Sequence, residues 1–277
     1  LVEKQRTALG GRHLAFDPSR CRRVRPRKRA KELALDERLG KRGTIELDER
    51  PVGARTVVVD HARDLNARTV VEIGCGTASN TRAFLESHPC SLIGLDASRG
   101  MLERARAKSV AARFVRGNGA QLPFATASVD YVFGFMVLQH VTHIEALFAE
   151  CARVVRRGGV AFATASHDFI RAHPLNTYFP SFESIDLARF PSNERLRVAL
   201  ESVGFTKVSF TILRRAPERI DAAYVQKVAD KFISTYALIP AEEFARGLAR
   251  LHSDLQRDGA LATPMEWECL IVTAERP

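Results

Sequence analysis

Val70-Val71-Glu72-Ile73-Gly74-Cys75-Gly76-Thr77-Ala78-Ser79-Asn80 is the stretch on which the fold turns. A short β-branched run that ends in glycine and leads into a polar segment of helical spacing reads as a buried strand (69–73), a tight turn and a helix (79–87). Without Cβ atoms at 74 and 76 the backbone can bend sharply and admit a ligand closely. The amides that open the helix can then meet a carboxylate or a phosphate.

A dinucleotide fingerprint asks for a third glycine five residues after the first, and Ser79 stands there; no further glycine follows until Gly94. Hydride chemistry loses ground accordingly. SLIGLD (91–96) is the next strand, and it ends in Asp96, 22 residues after Gly74. A carboxylate at that place can accept both hydroxyls of a bound ribose. Glu72 and Asp96 thus flank one site at the carboxyl ends of adjacent strands.

The alternation continues outward as βαβ units, the pattern of a parallel sheet. Helices are expected over 98–110, with Ser98 as N-cap, over 144–155, and over 193–203, where Gly204 stops the last of them. Strands are expected over 112–116, 129–135, 160–165, 206–213 and 266–274. Two intervals interrupt the order. Residues 166–192 are rich in His, Pro and aromatic residues, and 216–262 carry helical periodicity through Val225, Val228, Phe232, Phe244, Leu248, Leu251 and Leu255. Insertions on such a scaffold supply lids or partner surfaces.

These motifs together resemble those of the class I S-adenosylmethionine-dependent methyltransferases, in the broad group that includes the ubiquinone and menaquinone biosynthesis enzymes. VVEIGCGTASN resembles the first motif, E/D-x-G-x-G-x-G, with Ala78 at the third glycine; the resemblance makes Glu72, Gly74, Cys75 and Gly76 cofactor-binding positions. LIGLDAS with Met101-Leu102 resembles the second, which implies that Asp96 binds the ribose and that Ala97 and Met101 lie near the adenine. Gly117 to Phe124 (GNGAQLPF) resembles a common G-D-A-E-x-L-P-F segment, with Asn118 for aspartate and Gly119 for alanine; Asn118, Gly119 and Ala120 are the adenine-side residues it implies. Ser128 to Val132 followed by FGFMVLQH (133–140) resembles the fourth motif, which puts Phe135 beside the sulfonium and the transferred methyl. RVVRRGG (153–159) resembles the turn before strand five, usually R-V-L-K-P-G-G. The likeness runs over about 66–213. It implies an α/β, Rossmann-like, doubly wound and mostly parallel sheet of seven strands, the last antiparallel, with a helical insertion between the last two.

The implied activity is S-adenosyl-L-methionine-dependent methyl transfer to a small-molecule acceptor, an O, N or C atom that the sequence does not identify. Where that acceptor must lose a proton, His140, then His167, then His173 are the candidate bases. Phe179, Phe182 and Phe190 either wall an apolar pocket or anchor the lid. Asp130 lies on a motif common at strand ends that carry no chemistry.

Charge bears on the competing functions. The 277 residues are 45% hydrophobic and 27% charged and carry a formal +10, which suits a folded protein and invites a nucleic-acid reading. Residues 1–42 hold nine of those ten net charges, densest over 20–31, so 46–277 read as a nearly neutral methyltransferase domain behind a mobile basic leader (1–45). An RNA methyltransferase using that leader is the alternative. It is disfavoured because Phe135-Met136-Val137-Leu138 stands where amino-directed nucleic-acid enzymes carry an Asn/Asp-Pro-Pro-aromatic segment. A non-catalytic cofactor-binding protein is the third reading. The five cysteines are scattered without a CxxC pair, so neither a disulfide framework nor a metal site is expected. No apolar run reaches 18 residues and no signal-like start is present, so a cytoplasmic protein without a membrane span is expected.

Overall fold

The computed structural model describes residues 52–277 apart from Ser109. The expected leader, its nucleic-acid contact through 20–31 and Cys21 lie outside the described residues.

Seven strands form one sheet: β1 Thr69–Ile73, β2 Ser91–Asp96, β3 Arg113–Arg116, β4 Val129–Phe135, β5 Val155–Thr164, β6 Thr206–Arg214 and β7 Glu268–Arg276. Their order is β3-β2-β1-β4-β5-β7-β6. The first five run parallel, while β7 pairs antiparallel with both β5 and β6. The chain leaves β1 towards β2 on one side and returns through β4 on the other. The carboxyl ends of β1, β2 and β4 therefore surround a topological switch point, where open α/β sheets bind their ligands.

Period-two alternation explains why the strand sequences are apolar on both sides. Val70, Tyr131, Ala161 and Ile271 face helices α1 (Val52–Asp64) and α2 (Ser79–Ser87). Their neighbours Val71, Val132, Phe162 and Val272 face α4 (Ile144–Val154) and α7 (Asn193–Glu201). Between these helices run α3 (Arg99–Ala107), α5 (His167–Arg171) and α6 (Ser181–Arg189). Helices α8 (Ala222–Ala229) and α9 (Ala241–Asp258) occupy the interval between β6 and β7. Ser98 caps α3 by accepting the N–H of Met101 at 3.3 Å. The helix ends at Ala107, three residues before the expected limit.

Three of the differences from the sequence reading have a tertiary reason. The sequence pattern marks no element over 52–64, and the run Thr56-Val57-Val58-Val59 favours a strand. The segment is helical because Ala54, Val58, Val59 and Ala62 then share one face buried on β5 and β7. β5 begins at Val155 and not at 160: the expected turn is a bulge inside the strand, with Val129 opposite Val155 and Tyr131 opposite Gly159. That longer β5 pairs with β7 as far as Arg276, which draws β7 to 268–276.

Gly158 makes the bulge feasible. Its φ is +147°, and a Cβ there would stand 1.9 Å from the carbonyl oxygen of Asp130. The carboxylate of Asp130 in turn accepts the N–H groups of Arg68 and Thr69 at 3.0 and 2.8 Å and pairs with Arg156 at 3.3 Å. Asp130 thus ties the start of β1 to the bulge, a structural role.

Gly158→Ala combines forbidden backbone with a backbone clash and is expected to cost about 3 kcal/mol in urea unfolding. A loss below about 1 kcal/mol would contradict the bulge geometry.

Candidate functional site

The glycine turn follows directly from the end of β1. Three residues in five adopt positive φ: Gly74 (+71°), Gly76 (+53°) and Ala78 (+65°). At Gly74 a Cβ would stand 2.6 Å from Cγ2 of Val137, so the turn after β4 excludes a side chain. A Cβ at Gly76 would meet nothing within 4 Å; this is the open side of the turn. The N–H groups of Gly74 and Cys75 both donate to the carbonyl of Leu95, at 2.7 and 3.1 Å, which locks the turn to β2.

Asp96 completes the lock. One carboxylate oxygen accepts the Gly76 N–H at 2.8 Å and the other accepts the Ser98 N–H at 2.8 Å. A single side chain therefore fixes the loops after β1 and β2 together. A carboxylate carries about four acceptor sites, so its chemistry suits a ribose hydroxyl as well as backbone N–H donors.

Beneath the turn, Glu72 is fully buried and its Oε2 accepts the hydroxyl hydrogen of Thr81 in the first turn of α2. Burial, reinforced by the negative charges of Glu72 and Asp96, pushes the Cys75 thiol far up. Cys75 is consequently a neutral packing group and not a nucleophile. Ala78, at the third-glycine position, stands at the N-cap of α2 without a capping side chain, so the first amides of the helix are left for another acceptor. The Lys108 ammonium donates to the Thr77 and Ser79 hydroxyls, both at 3.2 Å. Thr81 and Lys108 were missed from sequence. Neither has a local signal, because each acts through a partner brought near by the packing of α2 and α3.

Around this centre lie the remaining expected cofactor positions. The carbonyl of Ala97 accepts Nε of Arg116 at 3.0 Å, and Met101 is half-buried in the first turn of α3. Asn118 is exposed, and its side-chain oxygen accepts the N–H of Ala120 at 3.0 Å, shaping the turn in which Gly119 lies against Leu147. Phe135 is buried, edge-on to Phe133, at the end of β4. Met136 follows it with φ +49°.

The three histidines occupy three environments. His140 is exposed at the end of the 3₁₀ turn Leu138–His140. His167 opens α5 half-buried, with Nε2 2.9 Å from the carbonyl of Phe190. His173 is buried, stacked on Phe182 at 4.6 Å, and burial pushes its imidazole down to about 4. Phe179, Phe182 and Phe190 are also buried. Among the described residues no group of three or more His, Cys, Asp or Glu side chains is placed to hold a metal, and no helix is long and apolar enough to cross a membrane.

Residues 71–163 match the family described as a methyltransferase domain. That interval runs from β1 through the glycine turn to the end of β5. A malonyl-acyl-carrier-protein O-methyltransferase of Erwinia pyrifoliae is 28% identical over 175 residues, which are 63% of this chain and 65% of that protein. The chain spans about a third to two thirds of the length of the curated relatives it matches. Among solved structures, an Anabaena variabilis protein from an antibiotic biosynthesis pathway shares the fold with a TM-score of 0.59 at 19% identity, covering 78% of this chain and 96% of that one. A phosphoethanolamine N-methyltransferase of Haemonchus contortus, solved with S-adenosylhomocysteine, has a TM-score of 0.52 at 16% identity, covering 82% and 53%. These structures establish the class I methyltransferase fold.

The buried imidazole has a consequence for stability. As pH falls from about 6.5 towards about 4, the unfolded chain protonates His173 while the folded chain does not, so stability declines over that window. His61, also lowered by burial, adds to the same limb. His173→Phe is expected to make the fall in the urea midpoint between pH 7 and pH 5 shallower; an unchanged fall would contradict a neutral buried imidazole.

Proposed function

We propose that this chain, built on a class I methyltransferase domain, transfers a methyl group from S-adenosyl-L-methionine to a small-molecule acceptor. The observation that carries the reading is the carboxylate of Asp96, divided between the N–H groups of Gly76 and Ser98, in a glycine turn with open space where a Gly76 side chain would stand. The fit to the cofactor is good in chemical type. Asp96 would hold the ribose hydroxyls. The turn Gly74 to Gly76 and the uncapped amides of α2 would meet the amino-acid end, with Glu72 and Cys75 beneath them. Ala97, Met101 and the 118–120 turn would border the adenine, and Phe135 the sulfonium.

When bound, the cofactor supplies a methyl carbon that its sulfonium already makes electrophilic. What remains for the protein is to orient the acceptor in line with that carbon and to exclude water. The aromatic groups of 166–192 and 216–262 suit the second task. For an acceptor that must lose a proton, His140 is the first candidate base and His167 the second, because the one is exposed and the other half-buried, so a bound acceptor can approach either ring. The malonyl-carrier-protein activity of the Erwinia relative supports including a protein-linked thioester among the acceptors tested.

Calorimetry with S-adenosyl-L-methionine tests the cofactor assignment. Asp96→Ala removes the acceptor of two backbone donors and of the ribose, so its affinity is expected to fall by at least about tenfold. Wild-type protein that binds no cofactor would overturn the reading. Incubation with methyl-labelled cofactor and a metabolite extract is expected to yield a labelled small molecule; binding without transfer would favour a non-catalytic protein.

A further inference from the structure

Residues 166–192 and 216–262 meet in a single aromatic core, in which Phe179 and Phe182 pack with Tyr224, Tyr236 and Phe244. His173 lies against that core, 5% exposed, stacked on Phe182 at 4.6 Å and edge-on to Phe169 at 5.9 Å. Its Nδ1 accepts the N–H of Leu175 at 3.2 Å and caps the 3₁₀ turn Pro174–Thr177. An acceptor at Nδ1 places the hydrogen of a neutral imidazole on Nε2. That Nε2 is buried and has no hydrogen-bond partner among the described residues.

A buried donor left unmade costs the desolvation of its N–H with nothing in return, so such a group calls for a partner. Position indicates which partner. Phe169, half-buried, packs with Met136 against Ala165, Ile170 and Phe190. Met136 is the first residue beyond β4. Phe169 thus touches the His173 ring and packs on the same small cluster as the first residue beyond the carboxyl end of β4, where the proposed transfer takes place.

We propose that His173 is a specificity-determining residue of the acceptor site, donating its Nε2–H to an oxygen atom of a flat, largely apolar acceptor walled by Phe169 and Phe182. This inference rests on the methyl-transfer reading. The same geometry removes His173 from the candidate bases: with Nδ1 engaged by Leu175 and Nε2 carrying the hydrogen, neither nitrogen has a lone pair for a substrate proton.

The test uses the full chain, ¹⁵N-labelled at histidine and saturated with S-adenosylhomocysteine, with 2-naphthol and naphthalene as probes. Nitrogen shifts are expected to report the Nε2–H tautomer of His173. 2-Naphthol is expected to move the Nε2 resonance and to bind about five- to tenfold more tightly than naphthalene, the worth of one ordinary hydrogen bond. His173→Gln, whose side-chain amide keeps a donor near the same place, retains that preference. His173→Phe loses it while S-adenosylhomocysteine affinity is unchanged. An Nδ1–H tautomer, a stationary Nε2 resonance up to the solubility of 2-naphthol, or an undiminished preference in His173→Phe would each overturn the proposal. The wild-type nitrogen shifts decide the matter even where a variant does not fold. Protein that binds S-adenosylhomocysteine but ignores 2-naphthol rejects this inference alone, whereas failure to bind S-adenosylhomocysteine rejects the methyl-transfer reading itself.

Discussion

The carboxylate of Asp96 bonded at once to the N–H of Gly76 and the N–H of Ser98 is the constraint on which the site depends. Each bond is charge-assisted and partly sheltered, so each is stronger than a neutral hydrogen bond. Together they hold two loops from different strands in one arrangement, and the turn after β1 cannot drift from the turn after β2. The Leu95 carbonyl, taking the N–H groups of Gly74 and Cys75, strengthens the same connection from the backbone side. Glu72 and Thr81 secure it from below, and Lys108 secures it at the outer edge through Thr77 and Ser79. The result is an anchored cradle whose open side is Gly76.

Around that cradle the fold divides its labour. The five parallel strands and their helices form two apolar layers that fix where the strand ends stand. A third aromatic core, assembled from two segments distant in sequence, stands apart from those layers. Asp186, Arg189 and Thr235 satisfy one another within 3.3 Å, whereas His173 retains an unused donor. A core that had only to fill space would be better served by an apolar residue there.

The parts of this architecture that were legible in the sequence are those set by local pattern. β1, α2, β2 and β4 match their expected limits because their apolar runs are bounded by glycine or polar caps within the chain itself. Long-range packing decided the rest. The valine run of α1 says strand until β5 and β7 supply a surface for its helical face. The start of β5 depends on Gly158 fitting against Asp130, a contact across strands. At the site, Gly74, Gly76 and Asp96 were visible as types at a spacing, yet which N–H each oxygen would take was not. Thr81 and Lys108 carried no signal at all. His167 and His173 are both candidate bases in sequence, ranked in that order; only the folded structure makes one half-buried and the other enclosed.

Amide hydrogen exchange, resolved by residue and followed with and without saturating S-adenosylhomocysteine, tests the central claim most directly. If Asp96 organises a cofactor cradle, the amides of Gly76 and Ser98 are already protected in the free protein. Ligand then slows exchange further across 74–79 and 96–101, leaving β6 and β7 unaffected. Fast exchange at Gly76 and Ser98 in the free protein, or ligand protection that bypasses these two loops, would contradict the account.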